Sequence, residues 1–219
     1  MASGKVKSRC CFCSLYLGIL KIKNTDSKVS CEYVRLFCNI EKHITLDHFD
    51  KDYLKANISF TEIPKKELLF EQGKFCRKLF FVESGSLRAY NLTEKGKEAT
   101  IMFAVQDWWI TDMHSFLDQK PAVLSLETLE DSKLFTLYFD AFEELLRKIP
   151  KFERFFRILF QKAYVREQLR VLDSISLSTE ERYQKFRMKY PQIVEKVTQK
   201  QIASHLGVTP EFLSAVKKK

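Results

Sequence analysis

The sequence predicts an α+β fold in which an N-terminal β jelly-roll barrel precedes one long helix and a C-terminal helix-turn-helix domain of the winged-helix type. Three observations predict it. Short β-branched and aromatic runs follow one another from Ile58 to Tyr138, an uninterrupted helical segment comes next, and residues 198–219 contain two short capped helices. The 219 residues are enough for two domains, each with a core of its own.

The barrel prediction rests on short runs that are separated by turns containing glycine. The runs read ISFTEIP, ELLF, KLFFVES, SLRAYNL, EATIMFA, AVLSLETL and SKLFTLY. Turns are indicated at Gln72-Gly73, Ser84-Gly85 and Lys95-Gly96. Strands this closely spaced are typical of a sandwich or a jelly-roll barrel. Helices are predicted before the first strand, over 31–40 and 46–56.

The segment after the last strand is predicted to be helical. Asp140 can cap a first helix, Pro150 interrupts it, and 151–172 contains neither glycine nor proline. A further capped helix is predicted over 178–191, at the beginning of the last domain. The apolar stripe of the helix over 151–172 is broader than one small core needs, which predicts a dimerisation helix. The residues expected at the dimer contact are Phe152, Phe155, Phe156, Leu159, Ala163 and Leu169. The alternative is that this stripe packs on its own barrel.

The C-terminal stretch TQKQIASHLGVTPEFLSAVKKK carries the signals of two short helices. Thr198 begins a capping box, and Gly207 can end the first helix in the left-handed conformation. Thr209 caps a second helix that Pro210 begins. The residues expected to face its core are Phe212, Leu213 and Val216.

Two helices joined by a turn that contains glycine form a helix-turn-helix, whose second helix enters the major groove of DNA. The predicted partner is therefore double-stranded DNA, and the closing lysines suit contact with phosphates. The residues expected to contact DNA are Thr198, Gln199, Thr209, Glu211, Ser214, Lys217 and Lys218. The alternative is an ordinary helical hairpin with a solvated basic tail.

Charge and cysteine usage narrow the class of protein. The formal net charge of +9 fits a polyanionic partner. Five of the six cysteines lie in the first 38 residues, which indicates reduced thiols in a cytoplasmic protein rather than a disulfide framework.

Residues 1–30 differ from the rest of the chain. The apolar run CCFCSLYLGIL follows Lys5, Lys7 and Arg9, as in a signal peptide. No small-x-small cleavage site is evident, and the run is too short to span a bilayer, so no membrane partner is expected. We expect an accessory, poorly ordered extension, with secretion as the alternative.

The order of barrel, long helix and helix-turn-helix resembles the CRP/FNR family of bacterial transcription regulators, particularly the branch common in Bacteroidetes. Glu71-Gln72-Gly73, LFFVESGSLRAY and EKGKEATIMF follow the cyclic-nucleotide-binding pattern. IPKFERFFRILFQKAY and LSLSTEERYQKF look like the dimer helix and the start of the DNA-binding domain. The resemblance covers about residues 35–219.

The resemblance implies a homodimer that binds a two-fold-symmetric promoter site, with RNA polymerase as a candidate further partner. It also implies the domain order. The expected boundaries are 1–30 for the extension, 31–149 for a cyclic-nucleotide-binding-like sensor barrel with flanking helices, 150–173 for the dimerisation helix and 174–219 for the helix-turn-helix domain.

The sensor barrel departs from the family pattern. The stretch QDWWITDMHSFLDQKPAVLSLETL lacks the family's Gly-Glu pair, and Pro121-Ala122 stands where its phosphate-binding arginine is expected. Lys120 lacks the planar fork of an arginine, so we expect no binding of cAMP. The residues expected to line a pocket for another ligand are Arg88, Tyr90, Trp108, Trp109, Phe116 and Lys120. The alternative is that these aromatic rings fill a core, and the sequence leaves open whether any effector exists.

The recognition helix also departs from the pattern. Glu211 matches the family's glutamate, which accepts a hydrogen bond from a cytosine amine. Ala215 stands where an arginine commonly reads guanine, and no wing hairpin follows before Lys219. We therefore expect relaxed sequence specificity.

The cysteines and histidines bear on the functions that compete with DNA binding. The oxygen-sensing branch of the family holds an iron–sulfur cluster, and Cys10, Cys13, Cys31 and Cys38 could supply four thiolates. Their spacing does not match that branch, and Cys38 is expected to be buried on a helix, so no cofactor or metal is predicted. A cysteine-based sensor remains an alternative, as does a sensor or interaction protein that no longer reads DNA. Catalysis is not expected, because the four histidines are scattered and no nucleophile elbow or phosphate loop is present.

Overall fold

A computed structural model describes residues 32–217, with side chains up to residue 216. The chain divides into two units, Met1–Val34 and Arg35–Lys219. The barrel, the long helix and the C-terminal helices all lie in the second unit. The predicted extension and the candidate ligands Cys10, Cys13 and Cys31 lie outside the described residues.

The described residues form eight helices and eight strands. The helices are α1 Val34–Glu41, α2 His48–Asn57, α3 Met113–Asp118, α4 Phe139–Lys148, α5 Lys151–Ser176, α6 Thr179–Lys189, α7 Gln199–Leu206 and α8 Pro210–Lys217. The strands are β1 Ile58–Ile63, β2 Leu68–Phe70, β3 Lys78–Ser84, β4 Ser86–Leu92, β5 Glu98–Val105, β6 Trp109–Ile110, β7 Ser125–Thr128 and β8 Ser132–Tyr138.

The strands make two four-stranded sheets with the orders β1-β8-β3-β6 and β2-β7-β4-β5. Their pairings are antiparallel, and most neighbours in a sheet are distant in sequence. The predicted α+β fold class, with an antiparallel barrel before a long helix and C-terminal helices, is confirmed. β5 is an edge strand, a position that matters for the C-terminal domain.

Phenylalanine rings fill much of the barrel core. Phe81 on β3 and Phe135 on β8 are neighbours in the ladder, and both rings are fully buried. Phe116 is also fully buried and meets Phe142 of α4 edge to face at 5.3 Å. Burying one such side chain stabilises a fold by roughly 1.5–3 kcal/mol. This core accounts for the many phenylalanines between Phe60 and Phe160.

Two elements were not predicted, and one predicted cap is wrong. β6 is only two residues long and α3 only six, so neither repeats a period often enough to be recognised. Asp140 does not cap α4, which begins at Phe139 directly after β8 without a side-chain cap. Asp140 lies in the first turn instead, where it accepts a hydrogen bond from Arg77 at 2.6 Å.

The first part of α5 packs on its own barrel. Phe152, Phe155 and Phe156 are buried, and Phe155 and Phe156 meet the ring of Trp109 at 5.9 and 5.8 Å. Phe156 also meets Phe142 at 4.8 Å. The placement of these three rings at a dimer contact is therefore corrected, because their surface is already covered within one chain. These three rings follow the alternative interpretation, in which the apolar stripe packs on its own barrel.

The second part of α5 leaves the barrel. The helix has 26 residues and is roughly 39 Å long, which is more than the barrel can cover. Leu159 and Ala163 are partly buried, whereas Leu169 is exposed. The large exposed apolar side chains of this part are Tyr164, Val165, Leu169, Val171, Leu172 and Ile175.

No helix in the described part of the chain combines the length and apolar character that crossing a bilayer requires.

Gly85, between β3 and β4, lies against Ser132 of β8, and substitution at this position tests that close approach. Its φ is +96°, and a Cβ there would lie 2.8 Å from the backbone Cα of Ser132. Gly96 is the matched control, since its φ is +70° and a Cβ there would meet nothing within 4 Å. We expect Gly96→Ala to cost about 1 kcal/mol of unfolding free energy and Gly85→Ala about 2 kcal/mol more, because β8 must shift. Urea denaturation measures both, and equal losses would contradict the close approach.

Candidate nucleic-acid interface

The sequence-predicted caps set the start of the C-terminal helices. Ser178 and Glu181 form a capping box at the start of α6. Thr198 caps α7, where its hydroxyl accepts from the backbone N–H of Gln201 at 3.2 Å and Gln201 Oε1 accepts from the N–H of Thr198 at 2.9 Å. The predicted Thr198 capping box is confirmed.

The turn between α7 and α8 also follows the prediction. Gly207 has φ +70°, and the next N–H, of Val208, donates to the carbonyl of Ala203 at 2.9 Å. The hydroxyl of Thr209 accepts from the N–H of Phe212 at 3.2 Å and so caps α8. These two short bonds fix the angle between the helices of a helix-turn-helix.

The core of this domain excludes one residue that was expected in it. Leu213 and Ala203 are fully buried, and Val216 is partly buried. Phe212 is 54% exposed, so its placement in the core is wrong. Since each residue turns an α-helix by about 100°, Phe212 lies about 100° from Leu213 with Val216 between them, and the helix surface is fully covered only at Leu213.

The residues predicted to contact DNA differ in position and in what their side chains bind. Gln199 donates to the carbonyl of Pro210 at 3.2 Å and to the hydroxyl of Ser214, so both side chains bind α7 to α8. Thr198 and Thr209 act as caps. Glu211 is exposed at the start of α8. The side chain of Lys217 and all of Lys218 lie outside the described residues.

An exposed surface on α8 consists of Glu211, Phe212 and Ala215, and we call it the reading face. All three side chains point away from the core that holds Leu213. The reading face has one acidic side chain, Glu211, and two apolar ones, Phe212 and Ala215. Carboxylates can accept from the cytosine amine, and phenyl or methyl groups can contact the thymine methyl. The apolar part was missed because Phe212 was assigned to the core.

α7 is joined to the barrel at the open edge of β5. The N–H of Thr100 donates to Ser204 Oγ at 2.9 Å, and Ser204 Oγ donates to the carbonyl of Glu98 at 2.7 Å. An edge strand leaves such backbone groups without a partner, so one serine hydroxyl satisfies both an edge donor and an edge acceptor. The contact places the helix-turn-helix against the second sheet.

Aromatic packing extends the same contact. Phe103 of β5 is fully buried and meets the rings of Phe186, Tyr190 and His205 at 5.7, 5.9 and 5.3 Å. Lys196 adds an ion pair with Glu130 of the β7–β8 connection at 2.7 Å. The C-terminal helices and the barrel therefore share one continuous hydrophobic cluster.

The six residues expected to line a ligand pocket do not share one site, although Arg88 and Tyr90 contact each other. Arg88 is buried and forms ion pairs with Glu98 and Glu127 at 2.8 and 2.7 Å, with its guanidinium stacked 4.4 Å from the ring of Tyr90. Trp109 and Phe116 belong to the barrel core, and Trp108 packs against the cluster around Phe103. Lys120 is exposed. The aromatic rings fill cores, which was the stated alternative.

The stretch that corresponds to the family's phosphate cassette contains an internal anion. The carboxylate of Asp112 is 1% exposed and accepts three backbone N–H bonds. Ser115 donates to Oδ1 at 3.0 Å, and Val123 and Leu124 each donate to Oδ2 at 2.8 Å. Backbone amides that converge on one point are what a bound phosphate requires. Here a side chain of the protein already uses them.

The cysteines within the described residues show no sign of metal binding. Cys38 is exposed, contrary to the expectation that it is buried. Cys76 is buried, and burial raises the pKa of its thiol. Within residues 32–217 no three His, Cys, Asp or Glu side chains are grouped closely enough to hold a metal ion.

Comparison with known proteins gives both a domain family and similar whole chains. Residues 60–149 match the family described as "Cyclic nucleotide-binding domain". A curated relative, "Regulatory protein HlyX" from Actinobacillus pleuropneumoniae, is 23% identical over 163 residues, which cover 69% of this chain and 67% of the relative.

Two solved structures resemble this fold. The c-di-GMP-responsive global regulator CLP of Xanthomonas campestris matches with a TM-score of 0.65 at 15% identity, over 78% of this chain and 90% of CLP. A transcriptional regulator of the crp/fnr family from Eubacterium rectale matches with a TM-score of 0.64 at 18% identity, over 79% and 82%. These similarities confirm the resemblance to the CRP/FNR family, and the relatives are regulators rather than enzymes.

Asp112 makes the expectation about cAMP testable. We expect no cAMP binding at micromolar concentrations, because Pro121-Ala122 stands where the phosphate-binding arginine is expected and the next two amides, of Val123 and Leu124, are bonded to the Asp112 carboxylate. Isothermal titration calorimetry on the full chain measures this, and micromolar affinity would overturn it.

Asp112→Ala should lower the unfolding free energy by about 3 kcal/mol, since three buried N–H groups lose a charged acceptor. Asp140→Ala, which removes an exposed carboxylate, serves as the control.

Proposed function

We propose that the chain, whose residues 60–149 match the family described as "Cyclic nucleotide-binding domain", is a transcription regulator of the CRP/FNR type that binds double-stranded DNA as a homodimer. The observation that carries the proposal is the reading face of α8. It is exposed, it lies on a helix whose N-terminus is capped by Thr209, and it belongs to a complete helix-turn-helix.

Sequence reading is proposed to use Glu211, Phe212 and Ala215. Glu211 supplies an acceptor for a cytosine amine, while Phe212 and Ala215 supply apolar contacts for thymine methyl groups. Ser214 and Gln199 support these contacts by holding α8 against α7. In this proposal Ala215 changes what is read and does not mark the loss of reading.

The homodimer is proposed to form through the second part of α5. Tyr164, Gln168, Val171 and Ile175 follow one another at spacings of four, three and four, which is the spacing of a coiled-coil seam. Gln168 donates to the hydroxyl of Tyr164 at 3.0 Å, so the polar groups in the seam bond each other. Ile175 is 79% exposed, and pairing with a second copy would cover it.

DNA binding can be tested by selecting bound sequences from a random pool of duplex DNA. We expect a palindromic consensus, because two copies related by a two-fold axis present two reading faces. The affinity for that consensus should fall steeply with salt, as phosphate contacts release counterions. Recovery of no consensus, with binding lost at modest salt, would instead support a sensor or interaction protein that does not read DNA.

The dimer can be tested with Ile175→Glu. We expect this charge in the seam to shift the protein to monomers in sedimentation-velocity experiments, because burying an unpaired carboxylate costs several kcal/mol. Phe49→Glu is the control, since Phe49 of α2 is 64% exposed and lies outside the seam. A variant at Ile175 that stays dimeric would place the interface elsewhere.

Phe212 can be tested with the selected DNA site and with a copy in which deoxyuridine replaces thymidine. Removing the thymine methyl groups should weaken wild-type binding by roughly threefold to tenfold. The Phe212→Ala variant should lose clearly less affinity when deoxyuridine replaces thymidine, because only the Ala215 contact with thymine methyl groups remains. Phe75→Ala, which removes a barrel ring that is 63% exposed, should behave as wild type. An equal effect of deoxyuridine on wild type and Phe212→Ala would contradict the contact.

A further inference from the structure

A groove of about 660 Å³ separates the second part of α5 from α6, and His205 and Leu206 at the end of α7 also line it. We call it the α5–α6 groove. It does not include the seam residues Tyr164, Val171 and Ile175, so a partner helix on that seam would not have to fill it. Neither the six residues expected to line a pocket in the barrel nor the reading face contributes to it.

The α5–α6 groove is strongly basic. Its six cationic side chains are Lys162, Arg166, Arg170, Arg182, Lys185 and Lys189, and its one carboxylate is Asp173. That carboxylate is bonded to Lys185 at 2.6 Å, and the adjacent Glu167 is bonded to Arg170 at 2.7 Å. Glu167 also lies 3.8 Å from Nε of Arg166, so two carboxylates stand against six cations and the groove keeps an excess of positive charge.

Two titratable groups respond to this potential. Burial lowers the pKa of Lys189, and the charge of Arg166 lowers it further. Burial and then the charge of Arg170 lower the pKa of His205 to about 4. A bound anion would oppose both electrostatic effects, because opposite charge favours the protonated forms.

Two polar atoms of the lining also lack partners. Nε of Arg182 and Nδ1 of His205 are buried, and neither has a hydrogen-bond partner among the described residues. The other nitrogens of Arg182 donate to the carbonyl of Leu206 at 2.8 Å and to Thr179 Oγ1 at 3.2 Å. Nε of Arg182 is a donor, and a buried donor without an acceptor costs about 1–3 kcal/mol, so a ligand with acceptor oxygens would stabilise this site.

The wall of the groove is apolar where it is not charged. Val165 and Leu169 of α5 and Met188 of α6 are all more than half exposed there. A purely ionic ligand would leave these side chains in water, and a second copy of α5 would bring its own Lys162 and Arg166 against the same cations. An apolar body with an anionic head complements both parts of the lining.

We propose that the α5–α6 groove binds an amphipathic organic anion, with its acyl or aryl body on Val165, Leu169 and Met188 and its carboxylate or phosphate head among Arg166, Arg170 and Lys189. The groove is thus the effector site of the protein.

Occupancy of the groove would reach the helix-turn-helix through His205. This ring lines the groove and also packs 5.3 Å from Phe103 of β5 and 5.5 Å from Phe186 of α6. The neighbouring Ser204 holds the edge of β5. A ligand that binds one position of α7 better than another shifts the population of that position. This regulatory step rests on the proposed DNA binding, whereas the binding site itself does not.

Binding can be tested on the full chain with three probes below their micelle concentrations: dodecanoate, dodecyl phosphate and dodecyltrimethylammonium. The guanidinium of Arg166 lies 4.7 Å from the centre of the Trp108 ring, so tryptophan fluorescence reports on the groove beside calorimetry. We expect saturable binding of an anionic probe at one site and none of the cation. Which anion binds more tightly distinguishes a carboxylate head from a phosphate head.

Variants locate the site. Arg166→Gln should weaken binding of the anionic probe roughly tenfold, the effect of losing one charge-assisted contact. Arg147→Gln is the matched control, because it removes an exposed arginine of α4 that pairs with Glu144 far from the groove. Leu169→Gln should also weaken binding without changing charge. Equal binding of cation and anions, or equal affinities of Arg166→Gln and Arg147→Gln, would overturn the proposal.

DNA binding separates the two proposals. A change in affinity for the selected DNA site when dodecanoate is added, lost in Arg166→Gln, supports the effector role. Probe binding without any effect on DNA refutes the effector role while leaving the site. If no probe binds and Arg166→Gln alone weakens DNA binding, the groove contacts DNA phosphates, and the ligand proposal is wrong.

Discussion

The ring of Phe103 holds the barrel and the C-terminal helices together. It lies on an edge strand, yet it is fully buried, because Phe186, Tyr190 and His205 cover it. α7 and α8 have eight residues each, and isolated helices of that length are marginal in water. Their stability therefore depends on packing, and the strand that carries Phe103 supplies much of the surface they pack on. The helix-turn-helix is in this sense completed by the barrel.

The contact between α7 and β5 also covers the open edge of the second sheet. β5 ends the strand order, and an open strand edge invites pairing with other chains. Ser204 bonds the free N–H of Thr100 and the free carbonyl of Glu98, so α7 protects the edge that it packs on. Docking leaves Glu211 and Phe212 exposed. The attachment to the barrel thus leaves free the residues that are proposed to read DNA.

In the stretch of the barrel where the family resemblance places a ligand, the polar groups bond other groups of the protein. Asp112 occupies the converging amides, and Arg88 is neutralised by Glu98 and Glu127. The carboxylate of Asp112 and the guanidinium of Arg88 are thus both bonded to groups of the protein itself. Uncompensated positive charge is found instead in the α5–α6 groove, beside the ring that connects α7 to Phe103. A signal that entered there would have a short path to the helix-turn-helix, through one aromatic cluster.

The sequence by itself determined the local features: the strand runs, the glycine turns, and the caps at Ser178, Thr198 and Thr209. These depend on contacts between residues that are close in the chain, which a pattern of residue types can express. Tertiary structure alone decided the rest. Phe152 and Phe212 are both aromatic residues on helices, but one is buried and the other exposed, because only one helix face meets a neighbouring element. Trp108 and Trp109 are adjacent in sequence, but their rings pack in different places: Trp108 against the cluster around Phe103 and Trp109 against Phe81 and Phe155. Asp112 reads as an ordinary acidic residue until the fold brings the amides of Val123 and Leu124 to its carboxylate.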